Sequence, residues 1–267
     1  MSFQLKALNI VCSQTELSKI PNGKVLINTI NAHSFNVAQK DEVFAKALST
    51  IENGKWRNEN EEGYVKFLIP DGSSIVMACR WLKAKSQPME RIAGWDLFEF
   101  EMSYLNSKKK ECKNEKMKKG RVMFLGSSEK VLALIRERAA ADYPNLEVVT
   151  YSPPYKPEFS QEDNKEMIQA INKANPDLLW IGMTVPKQEK WTYQHWKELD
   201  IHCHVGTIGA VFDFYAGTVE RAPLWWQKHS MEWLYRLLFE PKPLWRRYVI
   251  GIPLFLWNIF KEKIGKK

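Results

Sequence analysis

A carboxylate stands at the end of an apolar run in the first third of the chain. The run Val65–Ile69 is followed by Pro70-Asp71-Gly72, which is typical of a turn. Apolar surroundings raise the pKa of a carboxyl group, so Asp71 could serve as a general base in a cleft. Asp-Gly is equally typical of an Asx turn or a helix cap, and the residue types leave both roles open.

Polar residues also close an apolar, β-branched run near the start of the chain. The run Val25–Asn31 reads VLINTIN, which favours a strand. Thr29 and Asn31 are two positions apart, so in a strand they face the same side and could hydrogen-bond one ligand. Polar residues at strand ends are also ordinary turn formers, and this pair does not by itself define a site.

The segment Gly182–Trp191 (GMTVPKQEKW) has features that suit an anion. An apolar strand ends at Gly182, and a helix is predicted from Pro186, a residue type favoured in the first helical turn. Free N–H groups and the positive end of the helix dipole suit a diphosphate. Lys187 and Gln188 could add side-chain contacts, although a simple helix cap fits the pattern equally well.

Asp213 follows Gly209–Phe212 at a further predicted junction between strand and loop. Its carboxylate could accept hydrogen bonds from a ribose or a sugar hydroxyl. It could equally stabilise the turn into Ala216-Gly217, and both roles stay open.

The sequence predicts neither a metal site nor a cofactor. In a strand, His202 and His204 face one side and Cys203 the other, so the three groups do not converge on one ion. The motifs GxGxxG, GxxxxGK[ST] and DxD are absent. Their absence argues against a dinucleotide site, a P-loop and a metal-diphosphate site.

Strand-like runs alternate with helix-like segments along most of the chain, which predicts an α/β fold with a mostly parallel sheet and helices on both faces. Loops at the carboxyl ends of such strands carry the ligand sites, and the residues named above lie in or beside them. The predicted strands are Val25–Asn31, Val65–Ile69, Arg121–Gly126, Leu146–Thr150, Leu178–Gly182 and Ile201–Gly206. The predicted helices are Asp41–Ile51, Ser73–Trp81, Ser128–Ala141, Ser160–Ala174 and Pro186–Leu199.

Composition limits the class of protein further. The chain has 267 residues, of which 45% are hydrophobic, so it is neither disordered nor of low complexity. Its four cysteines are far apart and its first residues do not resemble a secretory signal, so we expect a cytoplasmic protein without a disulfide framework. We predict an α/β core over residues 1–220, with a basic loop at 106–120, and an appendage over residues 221–267.

The net charge of +8 is concentrated in two segments. Lys108–Arg121 carries +6 and has the composition of a solvated loop, whereas Arg221–Lys267 carries +7 and is rich in Trp, Tyr, Leu and Phe. The apolar stretch Tyr248–Phe260 has 13 residues, short of the roughly 20 that cross a bilayer. This appendage could lie at the interface of an anionic membrane, or form helices packed on the core or in an oligomer.

Six blocks of sequence resemble the WecG/TagA/CpsF family of bacterial glycosyltransferases, and the resemblance runs from about Val25 to Tyr248. The blocks are INTINAHSF (Ile27–Phe35), IPDGSSIV (Ile69–Val76), RIAGWDLF (Arg91–Phe98), IGMTVPKQEKW (Ile181–Trp191), GAVFDFYAGTVERAP (Gly209–Pro223) and MEWLYRLLFEPKPLWRRY (Met231–Tyr248). A separate stretch, Ser152–Tyr155, is similar to the exopolysaccharide branch of the family and favours UDP-glucose or a related donor.

The resemblance implies a Rossmann-like, inverting, metal-independent enzyme. Such an enzyme moves a hexose or an N-acetylhexosamine from a UDP-sugar to a polyprenyl-diphosphate-linked saccharide, peripherally on the inner face of the cytoplasmic membrane. By this resemblance Asp71 is the base, and Arg236 and Arg246 are the appendage arginines that close over the site. Pro243 stands where a further basic residue is expected, so one phosphate contact is missing or is supplied by Lys242 or Arg247. The matching pocket residues are Thr29, Asn31, Arg91, Gln188 and Asp213.

Two other classes of function remain as alternatives. A nucleic-acid-binding protein would explain the basic and aromatic residues, but the basic segments are distant from each other and no known reader element is present, so no nucleic acid is expected as partner. A non-catalytic membrane scaffold derived from a transferase is the second alternative. Asp71, Thr29 and Gln188 are all present, which argues against a decayed site, and a homo-oligomer stays open.

Overall fold

The structure is a computed structural model, and it describes residues 3–50, 55–56, 64–111, 119–229, 231–239 and 241–265. Within them a seven-stranded sheet has the order β2-β3-β1-β7-β6-β4-β5. The short β2 is antiparallel to β3, and all other neighbouring strands are parallel. The strands are β1 (Val25–Ile30), β2 (Lys55–Trp56), β3 (Tyr64–Pro70), β4 (Gly120–Gly126), β5 (Leu146–Tyr151), β6 (Leu178–Gly182) and β7 (His204–Thr207).

Helices connect the parallel strands and then form the C-terminal part of the chain. Those of the core are α1 (Ala32–Ala38), α2 (Glu42–Leu48), α3 (Ser73–Leu82), α4 (Gly94–Glu111), α5 (Glu129–Asp142), α6 (Gln161–Ala174), α7 (Lys187–His195) and α8 (Val211–Ala216). Those that follow are α9 (Leu224–Lys228), α10 (Glu232–Phe239), α11 (Pro241–Trp245), a π-helical turn (Arg246–Ile250) and α12 (Gly251–Lys263). Short 3₁₀ turns occupy Leu5–Ala7, Gln14–Lys19 and Trp196–Glu198.

The predicted α/β architecture is confirmed. β6 has the predicted bounds, and each of its five residues is buried, as expected for a strand covered on both faces. α6 also matches the prediction, because Ser160 caps its first turn by accepting a hydrogen bond from the Asp163 N–H. Both elements are fixed by local patterns that the sequence shows directly.

Three core helices (α1, α4 and α8) and both ends of the predicted basic loop differ from the prediction. α1 begins directly after β1 because the Asn31 side chain accepts from the backbone N–H groups of His33 and Ser34. α4 also is not predicted, and the basic loop expected at 106–120 is wrong at both ends. Residues 106–111 belong to α4, whose terminal lysines suit the negative end of the helix dipole, and Gly120 begins β4; residues 112–118 lie outside the described residues.

Apolar side chains cover both faces of the sheet. On one face α4, α5 and α8 pack against β4 and β6, with Phe98, Phe124 and Phe212 fully buried. On the other face α6 and α7 cover β6 and β7, with Trp191 among the buried residues. Burial of this kind is the main favourable term in folding, and it leaves the carboxyl ends of the strands as the edge where polar groups gather.

The C-terminal helix α12 packs one face on the core. Phe255 and Ile259 are buried, and the Phe255 ring meets that of Phe35 edge to face at 5.5 Å. The Asn36 amide donates to the Gly251 carbonyl at 2.7 Å, which joins α1 to the start of α12. By contrast, α9 and α10 bury no side chain. In the part of the chain that the structure describes, we find no helix with the length and apolarity needed to cross a bilayer.

Candidate active site

Asp71 and Asn31 meet at the carboxyl edge of two neighbouring strands. β1 and β3 pair in parallel with Ile30 opposite Pro70, so the residues that follow the two strands are adjacent. The Asp71 backbone N–H donates to the Ile30 carbonyl at 2.8 Å. The Asn31 amide then lies 3.4 Å from one Asp71 carboxylate oxygen, which fixes the direction of that carboxylate. Thr29, two residues before Asn31, is buried in β1 and lies opposite Ile69 of β3.

The surroundings of Asp71 make it a stronger base than an ordinary aspartate. Burial raises the pKa of the Asp71 carboxyl, and the opposing effects of Arg91, the Asn31 amide and Arg247 are smaller. A carboxylate with a raised pKa accepts a proton more readily, which is what a general base for a hydroxyl group requires. The candidate base from the sequence therefore lies in the kind of environment that its role needs.

An ion pair joins this site to the C-terminal appendage. The Arg91 guanidinium lies 2.8 Å from Glu232 at the start of α10, and both side chains are largely shielded from solvent. Arg221 lies 3.8 Å from the other oxygen of the same carboxylate. Nothing in the sequence pattern points to Glu232, because its partner Arg91 is 141 residues away along the chain.

The two arginines of the π-helical turn, Arg246 and Arg247, differ in their surroundings. Arg247 acts electrostatically on both Asp71 and His33. Burial, with a smaller contribution from Arg247, lowers the pKa of the His33 imidazole to about 4, so His33 is neutral at pH 7. Arg246 is exposed, and its guanidinium lies 5.3 Å from the centre of the Trp245 ring. The other expected arginine, Arg236, lies over the Phe214 ring of α8.

Gln188 joins the loops that follow β6 and β7. Its side-chain oxygen accepts from the backbone N–H groups of Met183 at 3.1 Å and Gly209 at 3.2 Å. Its side-chain nitrogen donates to the Glu189 carboxylate at 2.8 Å, and the side chain is buried. Gln188 was expected to contact substrate, and the structure shows it holding two loops of the carboxyl edge.

Two other expected residues have partners inside the protein. The Lys187 ammonium donates to the Lys156 carbonyl and lies 3.4 Å from the centre of the Phe159 ring. The expectation of a strand-to-loop junction at Asp213 is wrong, because Asp213 lies within helix α8. The Asp213 carbonyl accepts from the Thr218 N–H at 3.0 Å, which stabilises the turn after α8.

The three residues considered for a metal lie in different environments. His204 lies in β7, and its ring nitrogens are 2.9 Å from Glu101 and 3.0 Å from the Pro21 carbonyl. Cys203 is buried and His202 is exposed. Among the described residues, no group of three or more His, Cys, Asp or Glu side chains is placed to hold a metal ion.

Known proteins resemble this chain over most of its length. The sequence profile of the family described as "Glycosyl transferase WecG/TagA/CpsF family" matches residues 6–267. Three similar proteins share the name N-acetylglucosaminyldiphosphoundecaprenol N-acetyl-beta-D-mannosaminyltransferase. The one from Bacillus subtilis (strain 168) is 28% identical over 91% of this chain and 81% of its own length. Those from Bacillus spizizenii and Staphylococcus aureus (strain NCTC 8325 / PS 47) are 31% and 26% identical, each over 74% of this chain and over 69% and 70% of their own lengths.

Proposed function

Because the chain belongs to the WecG/TagA/CpsF family of glycosyltransferases, we propose that it moves an N-acetylhexosamine from a UDP-sugar to a polyprenyl-diphosphate-linked saccharide. The observation that carries this proposal is the shielded Asp71 carboxylate, held by Asn31 beside arginines of the core and the appendage. The relatives named above transfer N-acetylmannosamine to an N-acetylglucosaminyl-diphosphate lipid, which favours an amino sugar over glucose. The exopolysaccharide setting suggested by Ser152–Tyr155 has no support from these relatives.

The reaction would be a single displacement at the anomeric carbon of the donor. The acceptor hydroxyl oxygen forms the new bond while Asp71 takes its proton, and the bond from the anomeric carbon to the UDP oxygen breaks with inversion. Negative charge grows on the departing diphosphate. Arg91, Arg236 and an arginine of the π-helical turn would stabilise that charge, and Thr29 and Asn31 would position the reacting sugars.

The sheet topology supports a donor site between β4 and β6. The chain leaves β4 toward β5 on one side and leaves β6 toward β7 on the other, and such a switch point is where ligands bind in open parallel sheets. Gly126 ends β4 opposite Gly182, at a φ of +124°, and a Cβ atom there would lie 2.2 Å from the Gly182 carbonyl oxygen. Only glycine permits this close approach, which keeps the carboxyl ends of β4 and β6 next to each other.

An apolar and basic face on α3 and α12 supports peripheral binding to an anionic membrane. Leu256, Trp257 and Phe260 of α12 are exposed, and Trp81 of α3 is exposed and stacked on Phe260 at 6.5 Å. Lys261 lies over the Trp257 ring, so cations border the aromatic surface. Aromatic rings beside lysines suit the interface of a bilayer with anionic headgroups, where a polyprenyl-linked acceptor would be reached.

Replacing the two exposed rings of α12 together, Trp257→Ser and Phe260→Ser, is expected to lower partitioning onto phosphatidylglycerol vesicles about tenfold or more, because apolar area no longer enters the interface. Vesicle flotation measures the bound fraction. Tyr155→Ser is the matched control, since Tyr155 is fully exposed on the loop before α6 and should leave binding unchanged. Equal flotation of the double variant and the wild type would refute the membrane face.

Nucleotide release tests the reaction itself. We expect detergent-solubilised protein to release UDP from a UDP-N-acetylhexosamine only when a polyprenyl-diphosphate-linked N-acetylglucosamine is present, and to do so in EDTA. A panel of UDP- and GDP-sugars identifies the donor. Release that does not depend on acceptor, or that occurs only from GDP-sugars, would contradict the proposal, and activity lost in EDTA would contradict metal independence.

A further inference from the structure

A buried carboxyl group beside Gln188 is not accounted for by the reaction described above. Glu189 lies in the first turn of α7 and is fully buried, with 0% of its surface exposed. One of its carboxyl oxygens accepts from the Gln188 side-chain nitrogen at 2.8 Å. The other oxygen is buried and has no hydrogen-bond partner among the described residues.

Burying the Glu189 carboxyl group costs free energy, because the group loses its contacts with water. A buried carboxylate without a second partner or an ion pair is strongly disfavoured, and the group responds by holding its proton. Burial raises the pKa of the Glu189 carboxyl to about 7. A glutamate in the first turn of a helix is common where the side chain is exposed to solvent. Glu189 is buried, and an apolar side chain of similar size would avoid the cost of desolvation.

The Glu189 carboxyl group provides a hydrogen-bond acceptor for the Gln188 side chain. The Gln188 amide oxygen is shared by the Met183 and Gly209 N–H groups, which leaves the amide nitrogen pointing the other way, into the protein. That nitrogen is a buried donor, and leaving a buried donor without an acceptor destabilises the arrangement that buries it. Glu189 supplies the acceptor.

We infer that Glu189 is a positioning residue, which acts through Gln188 to hold together the loops that follow β6 and β7. Met183 belongs to the loop after β6, beside the proposed donor site, and Gly209 to the loop that leads into α8. The role of Glu189 in holding these loops does not depend on which reaction the protein catalyses. The effect on sugar transfer rests on the proposed function.

Amide hydrogen exchange tests the inference without any substrate. In Glu189→Leu, which keeps the volume but removes the acceptor, we expect the Met183 and Gly209 amides to exchange about tenfold faster or more. Gln188→Ala is the positive reference for losing both bonds. Glu189→Gln retains an acceptor oxygen, so both amides should exchange within about twofold of the wild type. If the leucine variant does not fold, Glu189→Met provides the same comparison with a more flexible side chain.

Kinetics then separate positioning from a general loss of structure. With donor and acceptor, Glu189→Leu should raise the donor KM about tenfold while Glu189→Gln recovers most of the loss. Unchanged exchange at both amides in Glu189→Leu would overturn the inference, and so would equal damage in the glutamine and leucine variants. The expected exchange pattern in a protein without transferase activity would overturn the proposed function and leave the role of Glu189 standing.

Discussion

Asp71→Asn is expected to lower the turnover of sugar transfer by about 10²–10⁴-fold, the usual contribution of a positioned general base. An asparagine keeps the size of the side chain but cannot accept the proton of the acceptor hydroxyl. Turnover of the wild type should also fall as pH is lowered through the raised pKa of Asp71, because only the ionised carboxyl is a base. The asparagine variant should lack this acidic limb. Single-turnover UDP release across pH measures both effects.

The control for Asp71→Asn must show that the fold and the donor site survive. Asp200→Asn removes a carboxylate from an exposed position and should have wild-type turnover. Asp71→Asn should bind UDP as the wild type does and unfold at a similar or higher temperature, since a carboxyl whose pKa is raised in the folded protein costs stability when ionised. A folded Asp71→Asn enzyme with near-normal turnover would remove Asp71 from the mechanism.

Arg247→Ala is expected to lower kcat/KM about 10²-fold, because a preorganised cation beside the base then no longer stabilises the departing diphosphate. The neighbouring variant, Arg246→Ala, should lose at least about tenfold less. This difference follows from geometry, since Arg247 acts on Asp71 and His33 whereas Arg246 is exposed over Trp245. Steady-state UDP release with the lipid-linked acceptor gives both values.

A spectroscopic measurement checks the position of Arg247 independently of activity. Arg247 contributes to the lowered pKa of His33, so Arg247→Ala should raise that pKa in an NMR titration of the imidazole, although burial keeps it below its ordinary value. Arg246→Ala should leave the His33 titration in place. A larger kinetic loss in Arg246→Ala than in Arg247→Ala would favour the assignment implied by the family resemblance over the one drawn from the geometry.

The amino-acid sequence by itself determined the parallel strands of the sheet, five of the eight core helices and the edge at which the polar residues gather. These features depend on apolar periodicity and capping residues within short windows, as β6 and α6 illustrate. That Asp71 and Asn31 both lie at this edge follows as well, because loops after parallel strands share one edge of the sheet. Their adjacency depends on the pairing of β1 with β3, which the structure shows. Where the local pattern was mixed, as in α4, the helix was not predicted; there the buried residues Leu97, Phe98 and Met102 supply the stability that propensity does not.

Only the tertiary structure decided which polar groups face the site and which face each other. Gln188 matches a family position, yet its bonds to Met183, Gly209 and Glu189 depend on how two loops meet. The choice between Arg246 and Arg247 depends on a π-helical turn, whose altered hydrogen-bond spacing rotates the side chains relative to an α-helix. The physical reason is that the direction of a side chain is set by packing between segments that are distant in sequence. The pair Arg91 and Glu232, which are 141 residues apart, is therefore not visible in any local sequence pattern.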